Sequence, residues 1–507
     1  MLGCTRVVVN SLFYALLVLL IPMAVKPLSS AKSEERMANS EQRLCIIGSG
    51  PAGCYTAEAL LRMLPEARID IVEKLPVPFG LIRYGVAPDH QSTKGAGRVL
   101  DRTLSRDRVR FFGHVEVGRD VTLNELREMY HVVVLATGAP RDRRLGISGE
   151  DLPGVIGSGA FVNWYNGHPS RTVPYLKDVH SAVIVGNGNV ALDVARILAK
   201  GADELKGSDL TPDVVEELQS QPIEEIHIVG RRGAADAKFS PTELKEIGTL
   251  QRAKPVVEAS NASESPVEQV LREFTTDSRS GLPISIHFHF GLTPVAFNGC
   301  GEPSRSEVRL GGREMQGSPP QPGRLSTALE DTSGAEAPTY LPPPERWPDG
   351  RLYPSLQSVR FRSASGEAMD IPAELCVTAI GYESVPCCTA LPANGVFTNE
   401  AGKIDNGLYV VGWAKRGPSG TIPTNRAEAQ QVAQKIAAEV YEAANSASDL
   451  RDLLQSRGVT WVDYAGWKRI EALENAGASD ERCRLKLLAP DEMLRAALSV
   501  EVAGKSE

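Results

Sequence analysis

Residues 43–60 read RLCIIGSGPAGCYTAEAL, and residues 181–198 read SAVIVGNGNVALDVARIL. Each stretch is a short apolar run, then two glycines separated by one residue, then an Ala-rich segment with helical spacing. That succession predicts a strand, a tight turn and a helix, the opening of a dinucleotide-binding unit. In Gly48-Ser49-Gly50-Pro51-Ala52-Gly53 the first glycine permits the turn and the second lets backbone N–H groups approach a pyrophosphate. The third allows the helix to pack close to its strand. Glu73 closes the next apolar run (67–74) twenty residues beyond Gly53, where a carboxylate can bind a ribose hydroxyl. The second loop keeps Gly186 and Gly188 but has Ala191 at the third position, a permitted variant of the fingerprint. Its following strand ends in VGRRG (229–233) rather than on an acid. The paired guanidinium groups of Arg231 and Arg232 suit a 2′-phosphate, which favours NADP(H) over NAD. The reading is of two dinucleotides, one held firmly by the N-terminal loop and one exchangeable.

Composition narrows the alternatives. The 507 residues are 42% hydrophobic and 23% charged, ordinary globular values for a chain of two to four domains. A formal net charge of -8 argues against a nucleic-acid binder held by phosphate neutralisation, so a site for a charged partner must be local. The eight cysteines include no C-x-x-C pair, which excludes a zinc ribbon, an iron–sulfur cradle and a dithiol centre. Cys45 and Cys54, flanking the first loop, read as small buried residues.

Beyond residue 40 the chain alternates strand-like and helix-like segments, predicting an α/β fold with parallel sheets. Strands are expected at 67–74, 131–139, 224–233, 374–382 and 407–414. A long helix is expected from about Ala427. Residues 298–350, rich in Pro, Gly and Ser, read as a surface insertion. The 11–25 run, SLFYALLVLLIPMAV, is uncharged and too short for a membrane span, and residues 1–40 are set aside as a targeting segment.

Several motifs together carry a family resemblance. GSGPAG (48–53), EKLPVPFGLIRYGVAPDHQSTK (73–94), HVEVGRDVT (114–122), AFVNWYNGHP (160–169), GNGNVALDVARIL (186–198), VGRRG and GWAKRGPSGTIPTN (412–425) resemble the adrenodoxin reductase family across roughly residues 41–495. These are the mitochondrial-type ferredoxin–NADP reductases, and VPFGLIRYGVAPDH is the most specific of the runs. The resemblance implies two doubly wound Rossmann-type domains of glutathione-reductase-like architecture. The FAD domain is discontinuous (41–140 and 383–507), and the NADP domain (141–382) is inserted in it. It further implies that NADPH reduces FAD and that the flavin passes electrons singly to a [2Fe-2S] ferredoxin. The implied FAD contacts are Ala52, Glu73, Leu81, Val117, Trp413, Gly420, Thr421 and Ile422. The implied NADP contacts are Asn187, Gly188, Asn189, Val190, Arg231, Arg232, Glu243 and Gly420. Three residues are catalytic candidates: Glu243 as a carboxylate that orients the nicotinamide, His90, the histidine of GVAPDH, for proton traffic near the flavin, and Asp193, one turn past the second loop.

The other classes weighed are a glutamate-synthase small subunit, a thioredoxin reductase and a non-catalytic NADP(H)-binding sensor. The missing cysteine motifs count against the first two. The resemblance implies a mitochondrial protein on the matrix side of the inner membrane, monomeric and open to peripheral membrane association. The apolar, arginine-poor leader points instead to a secretory-derived or plastid-like organelle. Lys238, Lys245, Arg252 and Lys254 form a cationic stretch whose spacing would let several share a helix face and receive an acidic ferredoxin.

Overall fold

A computed structural model describes residues 42–174, 176, 178–257, 265–299, 355–386, 394–439 and 448–499. Both the targeting segment and nearly all of the expected insertion lie outside these residues.

Two parallel sheets organise the chain. The first has the strand order Lys403–Asp405, Leu408–Val410, Val132–Leu135, Arg43–Ile47, Arg68–Glu73, Val109–Gly113. All neighbours are parallel except the Lys403–Asp405 edge. Its strands come from both ends of the sequence. The central Arg43–Ile47 strand pairs Leu44 with Ile69 on one side and with Val132 on the other. Leu44, Cys45 and Ile46 are fully buried, as expected of a strand covered on both faces.

The second sheet runs Val155–Gly157, Leu375–Thr378, Ser181–Val185, Glu225–Gly230, Ile284–Phe290, Ala253–Val257 and is parallel throughout. In each sheet the strand that enters a glycine loop lies between neighbours reached in opposite directions. That is the switch point at which doubly wound sheets open a crevice for a ligand.

Five helices matter below: α1 (Pro51–Met63), α2 (Gly97–Leu104), α3 (Asn189–Ala199), α4 (Pro241–Ile247) and α5 (Ile422–Ala438). Helix α1 starts with Pro51 in its first turn, where the missing N–H costs nothing. It packs against α5, with Ala57 and Leu60 in one core with Ala429, Val432, Ala433 and Ile436. The C-terminal segment is thereby fastened onto the N-terminal unit. Helix α5 begins at Ile422, not near Ala427, because Thr421 caps it and Pro423 sits in its first turn.

Three further findings revise the expectations. An antiparallel meander, Leu292–Gly299, Leu356–Ser363 and Ala368–Pro372, covers one face of the second sheet. Phe297, Val359 and Phe361 pack there with Val183, Val185 and Val229. Strand structure therefore includes Asn298 and Gly299, assigned above to the insertion. The four basic residues do not share a helix face: Lys238 precedes α4, Lys245 lies within it, Arg252 follows it and Lys254 is on a strand. The helix ends at Gly248, and Arg252 turns back toward Gln219 Oε1 at 3.5 Å.

A buried polar knot joins segments far apart in sequence. The two carboxylate oxygens of Asp209 accept from Lys94 Nζ at 2.9 Å and Lys486 Nζ at 3.0 Å. Lys94 also donates to Asn166 Oδ1 at 2.8 Å, and Lys486 to the Asn166 carbonyl at 2.9 Å. Burial pushes both lysine pKa values down and the carboxylate opposes it. Arg83 and Glu474, 2.5 Å apart, form a second buried pair.

Candidate active site

The first glycine loop is built by close approach. A Cβ added at Gly53 would lie 2.0 Å from the Gly48 carbonyl oxygen, whereas at Gly50 it would meet nothing within 4 Å. One glycine is thus demanded by the fold, and the other leaves open space at the start of α1. Gly80 closes toward Gly50, and Gly412 toward the Ala52 methyl, so three separate segments converge on this turn. Glu73 buttresses it. Its Oε2 accepts from Ser49 N at 3.0 Å and Ser49 Oγ at 2.8 Å, and its Oε1 from Leu75 N at 3.1 Å. Carboxylate oxygens accept more than one donor, so a ribose hydroxyl can still be received. Thr137 Oγ1 is buried and lacks a partner among the described residues. Cys45 and Cys54 are fully buried, burial pushes both thiols up, and Cys54 Sγ donates to the Ser49 carbonyl at 3.2 Å.

The remaining implied FAD contacts surround this turn in different ways. Leu81 opens a short helix directly after Gly80 and is 44% exposed, unusual for a leucine. Val117 is half-buried against the adjoining core. Trp413 stacks on Tyr382, ring centroids 5.8 Å apart, and its Nε1 donates to the Ser419 carbonyl at 3.2 Å. Glu428, on α5, accepts from Gly412 N at 2.9 Å and pairs with Lys415 at 3.0 Å and with Arg416. This ties the turn before Trp413 to α5, the helix that follows Gly420 and Thr421.

The second loop, from Gly186 to Val190, is tied to the residues leading into α4, and at Gly186 it also lies against the Ala379 backbone, whose carbonyl oxygen an added Cβ would approach to 2.2 Å. The Asn187 carbonyl accepts from Lys238 N at 2.6 Å, and Asn189 Oδ1 accepts from Ser240 N at 2.8 Å. Asn187 Oδ1 is buried without a partner among the described residues, and a Cβ at Gly188 would meet nothing within 4 Å. An orphaned acceptor and an open turn at a helix N-terminus fit a phosphate-bearing ligand with its own donors. Arg231 and Arg232 follow the neighbouring strand, exposed and without a carboxylate partner among the described residues. Such a pair is available to an incoming anion.

The three catalytic candidates meet in one cluster. His90 Nε2 is 2.9 Å from Glu246 Oε2, and His90 Nδ1 is 3.8 Å from Asp193 Oδ1. Arg196 Nη2 donates to Asp193 Oδ1 at 2.8 Å, and Arg196 Nε lies 3.3 Å from Glu246 Oε2. Arg196 also pairs with Asp89, which Lys200 holds from 2.6 Å. Burial pushes the Asp193 carboxyl up despite Arg196. Glu243 is raised by burial and by the charge of Asp193, although Ser240 Oγ donates to its Oε2 at 2.9 Å. Asp89 behaves oppositely: burial opposes ionisation, but Arg196 and Lys200 together hold it at about 2. Two carboxyl groups shifted upward thus stand beside one shifted downward, an arrangement suited to passing protons.

Glu246, Arg196 and Asp89 were not singled out in the sequence, although Asp89 and Arg196 lie inside quoted motifs. Glu246 follows Glu243 by one turn of α4. That spacing was the available signal, since residues three apart share a helix face.

Residues 42–233 match the pyridine nucleotide-disulphide oxidoreductase family. The human mitochondrial NADPH:adrenodoxin oxidoreductase is 36% identical over 481 residues, covering 89% of this chain and 91% of its own. Its Arabidopsis thaliana counterpart is 34% identical, over 90% of this chain and 95% of its own. Among solved structures, Mycobacterium tuberculosis FprA in complex with NADPH superposes with a TM-score of 0.73 at 31% identity, over 90% of this chain and all of that one. With two glycine turns at two switch points and this likeness along nine-tenths of its length, the chain belongs to the adrenodoxin reductase family.

Proposed function

We propose that this protein is an NADPH:adrenodoxin (ferredoxin) oxidoreductase that passes electrons from NADPH through FAD to a [2Fe-2S] ferredoxin. The observation that carries this reading is the chemical difference between the two turns within one folded unit. One is backed by a carboxylate and covered by a distant segment; the other ends in two exposed arginines without a carboxylate partner among the described residues. The balanced reaction consumes one NADPH and two oxidised ferredoxins and yields NADP⁺, a proton and two reduced ferredoxins. FAD, when bound, supplies the exchange between a two-electron hydride donor and a one-electron acceptor.

In this reading Gly48, Gly50, Ala52 and Gly53 receive the FAD pyrophosphate and Glu73 its ribose. Leu81, Val117, Trp413 and the Gly420–Ile422 segment enclose the rest. Gly186 to Val190 take the NADP pyrophosphate, with Asn187 Oδ1 accepting a ligand donor. Arg231 and Arg232 clamp the 2′-phosphate. Glu243 orients the nicotinamide end, while Asp193 and His90 hold and relay the proton that the overall reaction frees once both electrons have passed to ferredoxin.

The purified full chain should show oxidised-flavin absorption that bleaches on adding NADPH and recovers when ferredoxin is supplied. Well-folded protein without flavin absorption would overturn the reading. We also infer a mitochondrial location, on the matrix side of the inner membrane, from the mitochondrial names of the relatives. A monomer fits a chain that carries both turns itself. A fluorescent reporter fused to residues 1–40 tests the location, and its appearance in a secretory-derived organelle would refute it.

A further inference from the structure

The chain crosses between its two sheets twice. It leaves the first after Val132–Leu135 and comes back to it from Leu375–Thr378, and the two crossings pair as an antiparallel ribbon, Arg141–Asp142 against Tyr382–Glu383. The ribbon is firmly closed. Arg141 Nε lies 2.6 Å from Glu383 Oε1, Arg143 Nε donates to the Tyr382 carbonyl at 3.0 Å, and Ser384 Oγ donates to the Gly138 carbonyl at 2.9 Å. Asp142 anchors it further, accepting from Gly159 N at 2.8 Å and Ala160 N at 3.0 Å at the start of the helix Ser158–Tyr165. That helix follows directly on the Val155–Gly157 edge strand, so the ribbon is fixed to the second sheet.

Tyr382 reaches out of this ribbon in two directions. Its hydroxyl accepts from the buried Ser158 Oγ at 3.2 Å. Its ring stacks on Trp413, with centroids 5.8 Å and planes 18° apart, inside the range over which aromatic pairs attract. Burial pushes the phenol up to about 12 despite the Ser158 contact, and the charges of Asp142 and Asp193 add to the rise. It is a neutral hydroxyl at working pH, not a carrier of protons. Trp413, for its part, needs support. It opens a helix of 4 residues, Trp413–Arg416, set between Gly412 and Gly417, whose φ values are 70° and 83°. The bond from its Nε1 to the Ser419 carbonyl at 3.2 Å holds one edge of the indole and leaves the plane free to tilt about that edge. Gly381, with φ 99°, lies against Pro418, so the backbone of the ribbon meets the same loop that its Tyr382 ring covers.

We propose that Tyr382 is a positioning residue for the flavin: its ring sets the plane of Trp413, and its bond to Ser158 ties that plane to the NADP half of the molecule. This rests on the reductase reading above, in which Trp413 encloses part of the FAD. A flat side chain contributes fully to holding a flat ligand only when its plane is fixed beforehand, since an unrestrained indole must lose rotational freedom on binding. Tyr382 supplies that restraint in advance. The stacked ring carries the effect, and the hydroxyl steadies the ring.

The test uses the full-length holoenzyme and reads the Kd for FAD from the flavin fluorescence that appears on dilution. Tyr382→Met, which fills much of the space but removes the aromatic face, should raise that Kd about tenfold. Tyr382→Phe keeps the ring and should stay within about threefold of wild type. In a Trp413→Leu background, where there is no indole left to position, Tyr382→Met should add less than about twofold. A general packing defect would instead raise the Kd equally in both backgrounds, and that result would overturn the proposal. So would a Tyr382→Met value within twofold of wild type, or a Tyr382→Phe loss as large as that of Tyr382→Met. Should Tyr382→Met not fold, Tyr382→His, a smaller flat ring, should raise the Kd about three- to tenfold, and a rise below twofold would count against the stack. A folded wild-type chain that binds no flavin would sink the reductase reading together with this one. A yellow wild type whose Tyr382→Met variant holds flavin as firmly would sink the positioning role alone.

Discussion

The two glycine turns begin alike and part at their third small residue. At Gly53 a methyl group would collide with the Gly48 carbonyl, 2.0 Å away. At the matching place in the second turn, Ala191 is fully buried and its methyl is accommodated in the core. The first helix is thus drawn closer to its strand than the second. The difference continues outward. The first turn is braced by Glu73 and covered by Gly412 from the far end of the chain, whereas the second ends on two exposed arginines. A site assembled from three chain segments suits a nucleotide that stays. One that is left open at Gly188 and ends on exposed cations suits a nucleotide that must leave after each turnover.

The sharpest way to break this comparison is to exchange the third residues. Gly53→Ala pushes a methyl into backbone that cannot step aside and should cost about 3 kcal/mol or more, yielding protein without flavin absorption or no soluble protein. Ala191→Gly should cost only about 1 kcal/mol, the usual helix penalty, and keep both cofactors. A yellow Gly53→Ala protein with an unshifted Tm would show the two turns to be equivalent.

Replacing Arg231 and Arg232 with serine comes next. Each lost charge-assisted bond is worth about 1.5–3 kcal/mol, so the KM for NADPH should climb roughly ten- to a hundredfold per residue while that for NADH changes little. Equal losses with both coenzymes would remove the distinction drawn between the turns.

The link between the two halves can be read through pH. Asp89, from the first half, is held at about 2 by Arg196 and Lys200 of the second, against an ordinary value of 3.8. A carboxylate with a depressed folded pKa stabilises above its unfolded value and loses that contribution as the pH falls through about 2. Asp89→Asn should therefore cost about 2 kcal/mol at neutral pH and almost nothing near pH 2. Denaturant titrations at several pH values would show the two curves converging in acid; parallel curves would refute the assignment.

Glu243→Gln carries the smallest expected effect. Flavin reduction by NADPH should slow by about tenfold or less with little change in NADPH affinity. Because burial raises this carboxyl, the wild-type rate should titrate above the ordinary glutamate range, and the variant should lose that inflection. Stopped-flow bleaching measures both.

What could be foreseen was mostly what is local. A glycine turn, the acid closing the next strand and a pair of arginines are each written within a few consecutive residues, and the structure places Gly48, Glu73, Gly186 and Arg231 at the expected ends of strands. The meander was missed because its strands are separated by a long Pro/Gly/Ser-rich stretch, which hides their pairing. The contact between His90 and Glu246 joins residues 156 apart, a distance no spacing rule spans. The basic stretch misled for the converse reason. Proximity in sequence suggested a shared face, but Gly248 ends the helix after Ile247 and sends Arg252 elsewhere. The arginines at 98, 102 and 106 have regular helical spacing in plain view; that they lack a carboxylate partner among the described residues needed the fold to appear.

The buried knot of Lys94, Asp209 and Lys486 bears on how the polypeptide matures during synthesis. The first sheet gains its Leu408–Val410 strand only after the whole second sheet has been translated, and Asp209 gains its second lysine only at residue 486. At ribosomal speeds, the strand Val132–Leu135 waits on the order of tens of seconds for that neighbour. Until then the nascent N-terminal half presents an open sheet edge, and Asp209 has only Lys94 of its two eventual lysines. A chain built this way depends on being shielded as it emerges, and its last hundred residues decide whether its first hundred become permanent.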